Sequence, residues 1–267
     1  MTREEILAVA KPILFNTDMV RAILAEQSPK TQTRRIAQPD EHHKYYCGRV
    51  PDYNLKHGGE RIFSVDAMGS GIAYIKPRYR EGALLYVRET WRVGAWDIHK
   101  QLMAFDYKDG TCGEMVYIHD RDMFLRLVDQ AREDARKAGC EYNGVDFVWE
   151  KGKSPCRWHP SIHMPKETAR IFLSVNQLRL EKLQDITLED AFNEGIMFYK
   201  GWESEKYIKE RKEAIKNGTK PPIGYAPLER FIHLWNSTIP REKINIFGWD
   251  ANPWVWVYKF EKMEVEL

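Results

Sequence analysis

The chain of 267 residues is long enough for one large domain or two small ones, since domains average about 150 residues. Lys and Arg number 41 against 39 Asp and Glu, so the net charge is only +2 and gives no support for bulk binding of duplex nucleic acid. A hydrophobic content of 43% with 30% charged residues is typical of a folded protein and argues against general disorder.

Membrane and secreted classes are also disfavoured. The longest apolar runs, 83–87 and 254–258, are far shorter than the roughly 20 residues of a membrane span. The first residues carry no apolar segment of the secretory type. The cysteines are isolated, as expected of reduced thiols: Cys47, Cys112, Cys140 and Cys156. We therefore expect a cytoplasmic protein without membrane contact.

A zinc site is an alternative that the spacing does not favour. Its ligands would be Cys140, Cys156, His159 and His163, and their spacing matches no standard ligand pair. We expect ordinary side chains at these positions, and neither a metal nor another cofactor.

The first third of the chain predicts short elements and a long irregular stretch. In chain order these are a helix over 1–10, a strand over 12–15, a helix from Asn16 or Thr17 to about 26, loop with short strands over about 38–80, and a strand over 84–91.

The remainder mixes strands with helices. It predicts a hairpin of 101–107 and 114–118 around Asp109-Gly110, a helix over 120–138 ended by Gly139, a strand from 171 towards 180, a helix opened by the Thr187 capping box and ended by Gly195, a charged helix over 203–216, a helix over 228–235 and a strand over 254–261. Since strict alternation of strand and helix is lacking, the pattern favours one α+β domain on a partly closed β-sheet with inserted helices.

The densest polar cluster, over 28–35, reads Ser-Pro-Lys-Thr-Gln-Thr-Arg-Arg and is suited to recognising anions. In an extended chain Lys30, Gln32 and Arg34 share one face. A desolvated Lys30 near the Thr33 hydroxyl has a lowered pKa and can act as a general base. The alternative interpretation of residues 28–35 is a solvent-exposed basic loop, and the charge of the segment taken alone favours that alternative.

Two carboxylates stand out by context. Glu89 follows an apolar strand and precedes Trp91, and its alternative role is a strand-end pair with Arg88 or Arg92. Glu194 ends the helix after Thr187, where the helix dipole disfavours an acid. Its alternative role is that of a solvated residue in the last helical turn.

Two further stretches, 76–80 and 151–170, interleave cations with rings, among them Tyr79 and Trp158. Such stretches suit nucleic-acid backbones and unstacked bases. Arg and Lys stems that merely cover surface rings are an equally good explanation.

The order of these pieces resembles the ASCH family, whose signature is G-x-K-x-x-T-x-R. Here Lys30, Thr33 and Arg35 match that signature, with Ser28 in place of the Gly. Further likeness to a long subgroup found in phages and prophages is carried by Lys-Pro-Ile-Leu-Phe at 11–15, Tyr-Val-Arg-Glu-Thr-Trp at 86–91, Pro-Ser-Ile-His-Met-Pro at 160–165, Leu-Gln-Asp-Ile at 183–186 and Asn-Pro-Trp-Val-Trp-Val at 252–257.

This resemblance implies a PUA-like β-barrel over the whole chain, enlarged by insertions at about 38–80, 95–165 and 196–225. Small bacterial ASCH enzymes hydrolyse acetylcytidine with a Lys, a Thr and a later Glu. That set carries over to Thr33 as nucleophile, Lys30 as its base and Glu194 orienting or protonating the leaving amine.

Substrate contacts are expected from Arg34, Arg35, Glu89, Trp158 and Tyr79. The first hypothesis is thus an amide hydrolase acting on a modified nucleoside or base. The second is a non-catalytic reader of single-stranded or modified nucleic acid, or an RNA-processing protein, that uses the same cleft. A third is a phage accessory protein whose fold serves protein contacts.

Overall fold

The computed structural model describes residues 1–26, 29–37, 45–52, 59–65, 72–75, 77–196, 213–214, 216–219 and 227–265. Its named helices are α1 (Arg3–Val9), α2 (Thr17–Leu24), α3 (Arg121–Lys137), α4 (Leu188–Asn193), α5 (Pro227–Ser237) and α6 (Ile244–Phe247). Its strands are β1 (Lys11–Leu14), β2 (Gln32–Ile36), β3 (Tyr45–Asp52), β4 (Gly59–Val65), β5 (Ile72–Ile75), β6 (Leu84–Arg88), β7 (Trp91–Asp97), β8 (Leu102–Tyr107), β9 (Val116–Tyr117), β10 (Glu141–Tyr142), β11 (Phe147–Val148), β12 (Phe172–Lys182) and β13 (Trp254–Met263).

Most elements lie where the sequence predicts them. Asn16 caps α2 through its side chain, Asp120 caps α3, and a capping box at Thr187 begins α4. One difference is the strand expected over 84–91, which divides into β6 and β7 on either side of Glu89 and Thr90. The charged helix expected over 203–216 falls largely outside the described residues.

The chain divides into two compact units built from discontinuous segments. The first comprises Met1–Arg21, Leu84–Ser174 and Lys262–Leu267, and the second Ala22–Ala83 and Val175–Glu261.

In the first unit, β1 runs parallel to β6, which pairs antiparallel with the beginning of β12. A separate antiparallel sheet contains β7, β8 and β9 in that order, with Trp91 opposite Tyr107. Its apolar core includes Trp91 and Phe105, whose rings meet edge to face at 4.9 Å between centroids.

Helix α3 joins this core along one stripe. Phe124, Leu127, Val128, Ala131 and Ala135 are buried at the three- and four-residue spacing of a helix face. Gly139 follows the helix with φ of +73°, the left-handed conformation in which helices commonly end.

A charged clamp lies at the break between β6 and β7. Arg170 donates to both oxygens of Glu89, at 2.9 and 2.7 Å, and to Asp109 Oδ2 at 2.7 Å. It also donates to the Thr111 hydroxyl. Burial raises the pKa of Glu89, and Arg170 opposes that rise. Arg170 therefore ties the predicted turn around Asp109 to Glu89, which directly follows β6.

In the second unit, the remainder of β12 neighbours β13, and β13 pairs antiparallel with β2. The register places Thr33 opposite Tyr258 and Arg34 opposite Val257. The strands β3, β4 and β5 form an antiparallel sheet of their own, which accounts for the short strands expected within 38–80. Helix α4 packs against α5.

The α+β class is confirmed, since helices and several sheets are present. None of the sheets formed by the described strands closes on itself. Within the described part of the chain, each helix is too short or too polar to cross a membrane.

Replacing Arg170 with Met should lower the free energy of unfolding by about 3–5 kcal/mol, because it leaves Glu89 buried without its cation. The pKa of Glu89 in the folded state then rises further above its unfolded value. Folding then favours the protonated form of Glu89, whereas the unfolded chain ionises it readily above about pH 5. The loss of stability should therefore grow as the pH rises from about 5 to 8. Denaturant unfolding at several pH values measures this.

The matched control is the double variant Glu89→Met with Arg170→Met, which removes the buried carboxylate and should recover part of the lost stability. A loss in the single variant that is small, or independent of pH, would contradict the clamp.

Candidate functional site

The core of the candidate site is an ion pair between two buried residues that are 164 positions apart. Lys30 Nζ lies 2.9 Å from Glu194 Oε2 and donates a second hydrogen bond, of 2.7 Å, to the Glu194 carbonyl. The two residues are only 3% and 4% exposed. Both belong to the second unit. Two of the three predicted catalytic residues are thus in direct contact.

The backbone around Glu194 explains how the pair forms. The Thr187 capping box begins α4, and Glu194 is the C-terminal cap. The Thr31 amide donates to the Asn193 carbonyl at 3.0 Å, which joins the end of α4 to the start of β2. The Lys30 amide donates to the Ala22 carbonyl at 2.9 Å. These backbone bonds hold Lys30 and Glu194 side by side.

Gly195 makes this close approach possible. Its φ is +78°, and a Cβ there would lie 2.7 Å from the Ala22 Cβ and 3.0 Å from the Lys30 Cβ. Glycine is therefore required both by backbone conformation and by space.

The guanidinium of Arg34 binds the other oxygen of the Glu194 carboxylate. Arg34 Nη1 donates to Glu194 Oε1 at 3.0 Å, while Nη2 lies 3.2 Å from Asp190 Oδ2 and also contacts Glu181. The Arg34 side chain is 1% exposed. Arg34 therefore binds the carboxylate oxygen of Glu194 that Lys30 does not contact.

Arg179 completes the charged cluster. It donates to Glu181 Oε2 at 2.8 Å and to Asp190 Oδ1 at 2.6 Å, so the cluster holds three cations and three carboxylates. Burial opposes ionisation of Asp190, but hydrogen bonds from the Thr187 backbone and Arg179 outweigh it and lower the pKa of Asp190 to about 2. Balanced charge is what allows such a cluster to be buried.

The pKa of Lys30 is lowered from its ordinary value. Burial is the largest cause, and the positive charges of Arg35 and Arg34 act in the same direction, whereas Glu194 opposes them. Its two hydrogen bonds to Glu194 use two N–H groups. A neutral amine keeps both of them and carries its lone pair in the remaining tetrahedral position.

Thr33 is buried in β2, next to Arg34, and leaves the strand on the opposite face. Among the described residues we find no hydrogen bond made by its hydroxyl. Its cross-strand neighbour Tyr258 meets Tyr79 edge to face at 5.3 Å between ring centroids. Burial raises the pKa of Tyr258 to about 12. Tyr79 is itself only 2% exposed, so its ring packs against another ring.

The other predicted substrate contacts are distributed differently. Arg35 is exposed at the end of β2, in the second unit. Glu89 and Trp158 belong to the first unit. There Glu89 is held by Arg170, whereas Arg88 and Arg92 bind other groups. The Trp158 ring is covered by Arg92 and Lys108, at 4.6 and 4.4 Å from its centroid.

Three members of the cluster, Arg179, Glu181 and Asp190, were not among the residues predicted to form the site. Arg179 and Glu181 are two residues apart in β12 and hence share a face of that strand. Asp190 is the acidic residue of the capping box. The strand spacing and the capping box can both be read from the sequence. Neither feature indicates that Glu181 and Asp190 contact Arg34, which is at least 147 positions away.

In the described part of the chain, no group of three or more His, Cys, Asp or Glu side chains is placed to hold a metal ion. Comparison with protein-family models, with curated proteins and with solved structures finds no match to this chain.

Replacing Gly195 with Ala should lower the free energy of unfolding by about 1–2 kcal/mol for the left-handed backbone, plus about 1–3 kcal/mol for the clash with Ala22 and Lys30. Denaturant unfolding measures the total.

Gly82 provides the matched control, since its φ is +79° in the same unit and a Cβ there meets nothing within 4 Å. Gly82→Ala should show only the backbone cost. Equal losses in the two variants would refute close packing of Gly195 on Lys30.

Proposed function

We propose that the chain is an ASCH-type amide hydrolase with a PUA-like fold, acting on an acylated cytidine-type nucleoside or base. The observation that carries the proposal is the buried contact of Lys30 with Glu194, at 2.9 Å. It joins the first and last members of the catalytic set that the resemblance implies. The lowered pKa of Lys30 suits it to a base.

Among the described residues, the Thr33 hydroxyl makes no hydrogen bond to Lys30, so the proposed reaction requires Thr33 to reach the Lys30 amine when substrate binds. The neutral Lys30 amine then takes the proton of the Thr33 hydroxyl as Oγ1 bonds to the acyl carbon. The bond from that carbon to the exocyclic nitrogen then breaks, and Lys30 gives the proton to the leaving amine. Water then attacks the acyl carbon of the ester on Thr33 while Lys30 accepts its proton, and Lys30 returns that proton to Thr33 Oγ1 as the bond from Oγ1 to the acyl carbon breaks. The products are the free amine and the carboxylic acid.

Glu194 has a holding role in this proposal. Each of its carboxylate oxygens accepts a hydrogen bond from a basic side chain, Oε2 from Lys30 and Oε1 from Arg34. This arrangement suits orientation of the Lys30 amine better than donation of a proton to the leaving group. Of the two roles implied by the resemblance, we therefore favour orientation.

A second candidate function is binding of single-stranded or modified nucleic acid without catalysis. Its supporting observation is that Arg78 and Arg80 are exposed, while Lys30 and Arg34 are buried. Exposed cations contact phosphates and give an affinity that falls with salt. Salt-dependent binding of an RNA oligonucleotide together with no acyl release from any nucleoside would favour this function.

Acetate release from acetylcytidine tests the hydrolase directly. Thr33→Ala should abolish it, because the nucleophile is lost, and Thr33→Ser should retain part of it. Lys30→Arg keeps the positive charge but cannot become neutral, so it should lower the rate by about 10²–10⁴-fold. Undiminished turnover in Thr33→Ala or Lys30→Arg would eliminate the mechanism.

The pH dependence gives an independent test. Since only the neutral Lys30 acts as a base, kcat should rise with pH through the lowered pKa of Lys30. Glu194→Gln removes the carboxylate that raises this pKa. The rising limb should therefore move to lower pH in that variant. A limb that stays in place, or moves to higher pH, would exclude Lys30 as the titrating base.

A further inference from the structure

The first unit contains a groove that the proposed hydrolase does not use. It lies beside helix α3 and the segment 159–163, and its volume is about 640 Å³. That volume is within the range of roughly 300–1,000 Å³ found for small-molecule sites. The buried side chains of Trp91 and Leu127 line it together with more exposed polar side chains.

A pair of stacked rings is fixed in the wall of the groove. The imidazole of His159 lies nearly parallel to the indole of Trp91, with centroids 4.4 Å apart and planes at 16°. Two backbone hydrogen bonds join the same residues, from the His159 amide at 2.7 Å and from the Trp91 amide at 3.2 Å. The half-buried imidazole is thus held flat before any ligand arrives.

Several polar groups on the rim have hydrogen-bonding capacity to spare. Among the described residues, the side chains of Arg126, Gln130 and His163 make no hydrogen bond or ion pair with the protein. The indole N–H of Trp91 is buried and likewise has no partner in the described part of the chain. A small number of polar groups around an apolar floor is the usual composition of a ligand site.

The charge of the rim indicates which ligands fit. The positive charge of Arg126 is offset by Asp129, and Glu133 is paired with Lys137 at 2.7 Å. Burial, with help from the charge of Arg157, lowers the pKa of His159, so that its imidazole is neutral near pH 7. A rim without net charge suits a neutral ligand better than a phosphate.

We propose that this groove binds the base of a nucleoside, stacked on His159 and hydrogen-bonded at its edge by Gln130 and Arg126. A flat heterocycle matches the preformed ring pair, and its edge groups match the amide of Gln130 and the guanidinium of Arg126, which have no hydrogen-bond partner within the described part of the protein. Base stacking on a ring contributes enough to be measured by substitution. The inference does not depend on the Lys30 site, whose residues belong to the other unit.

Calorimetric titration with adenosine, guanosine, cytidine and uridine, one at a time, tests this site. We expect at least one nucleoside to bind saturably. Its affinity should fall at least about tenfold in His159→Ala and stay near the wild-type value in His159→Phe, which keeps a flat ring. Gln130→Ala should also weaken binding. Because Gln130 is only half-buried on α3, this variant should fold normally, and it tests the site even if the His159 variants misfold.

Lys30→Arg separates this site from the proposed hydrolase site. Binding that persists in Lys30→Arg and is lost in His159→Ala supports the groove, whether or not acetylcytidine is hydrolysed. Absence of binding by all four nucleosides would overturn the proposal. Equal affinity in the wild type, His159→Ala and Gln130→Ala would overturn it as well.

Discussion

The buried ion pair of Lys30 with Glu194 is the constraint on which the second unit depends. An unpaired ammonium or carboxylate at that depth would cost several kcal/mol, so each residue requires the other. The pair also requires a close approach of the backbone from α4 to the start of β2, made possible by Gly195. The left-handed glycine and the capping box at Thr187 are local features that serve this long-range contact.

The surrounding charges control both the orientation of Glu194 and the pKa of Lys30. Arg34, Arg179 and their carboxylate partners hold Glu194 in one orientation, while burial and the neighbouring guanidinium groups lower the pKa of Lys30. In the proposed hydrolase, this fixed arrangement of charges is the condition under which electrostatic effects favour catalysis. The alternative interpretation of residues 28–35 was a solvated basic loop. That interpretation does not fit Lys30, Thr33 or Arg34, because all three are buried.

The sequence predicted local structure well, since caps and periodicity act over a few residues. Examples are α3, which is capped by Asp120 and ends before Gly139, and α4, which ends just before Gly195. It predicted long-range partners poorly. The alternative role of Glu89 was an ion pair with Arg88 or Arg92, but its carboxylate binds Arg170, which is 81 positions away. The contact of Arg34 with Glu194 spans 160 positions. Which carboxylate pairs with a given cation depends on the tertiary fold, and local sequence does not encode it. Only the family resemblance predicted that Lys30 and Glu194 belong to the same site.

The most direct measurement of the central claim is the titration of Lys30 itself. In protein carrying ¹³C-labelled lysine, the Lys30 resonance is assigned by its absence in Lys30→Arg and followed by NMR as the pH is raised. The account predicts that Lys30 loses its proton below the ordinary lysine value of about 10.4, and at still lower pH in Glu194→Gln. A resonance that titrates at the ordinary value, and is unaffected by Glu194→Gln, would contradict it.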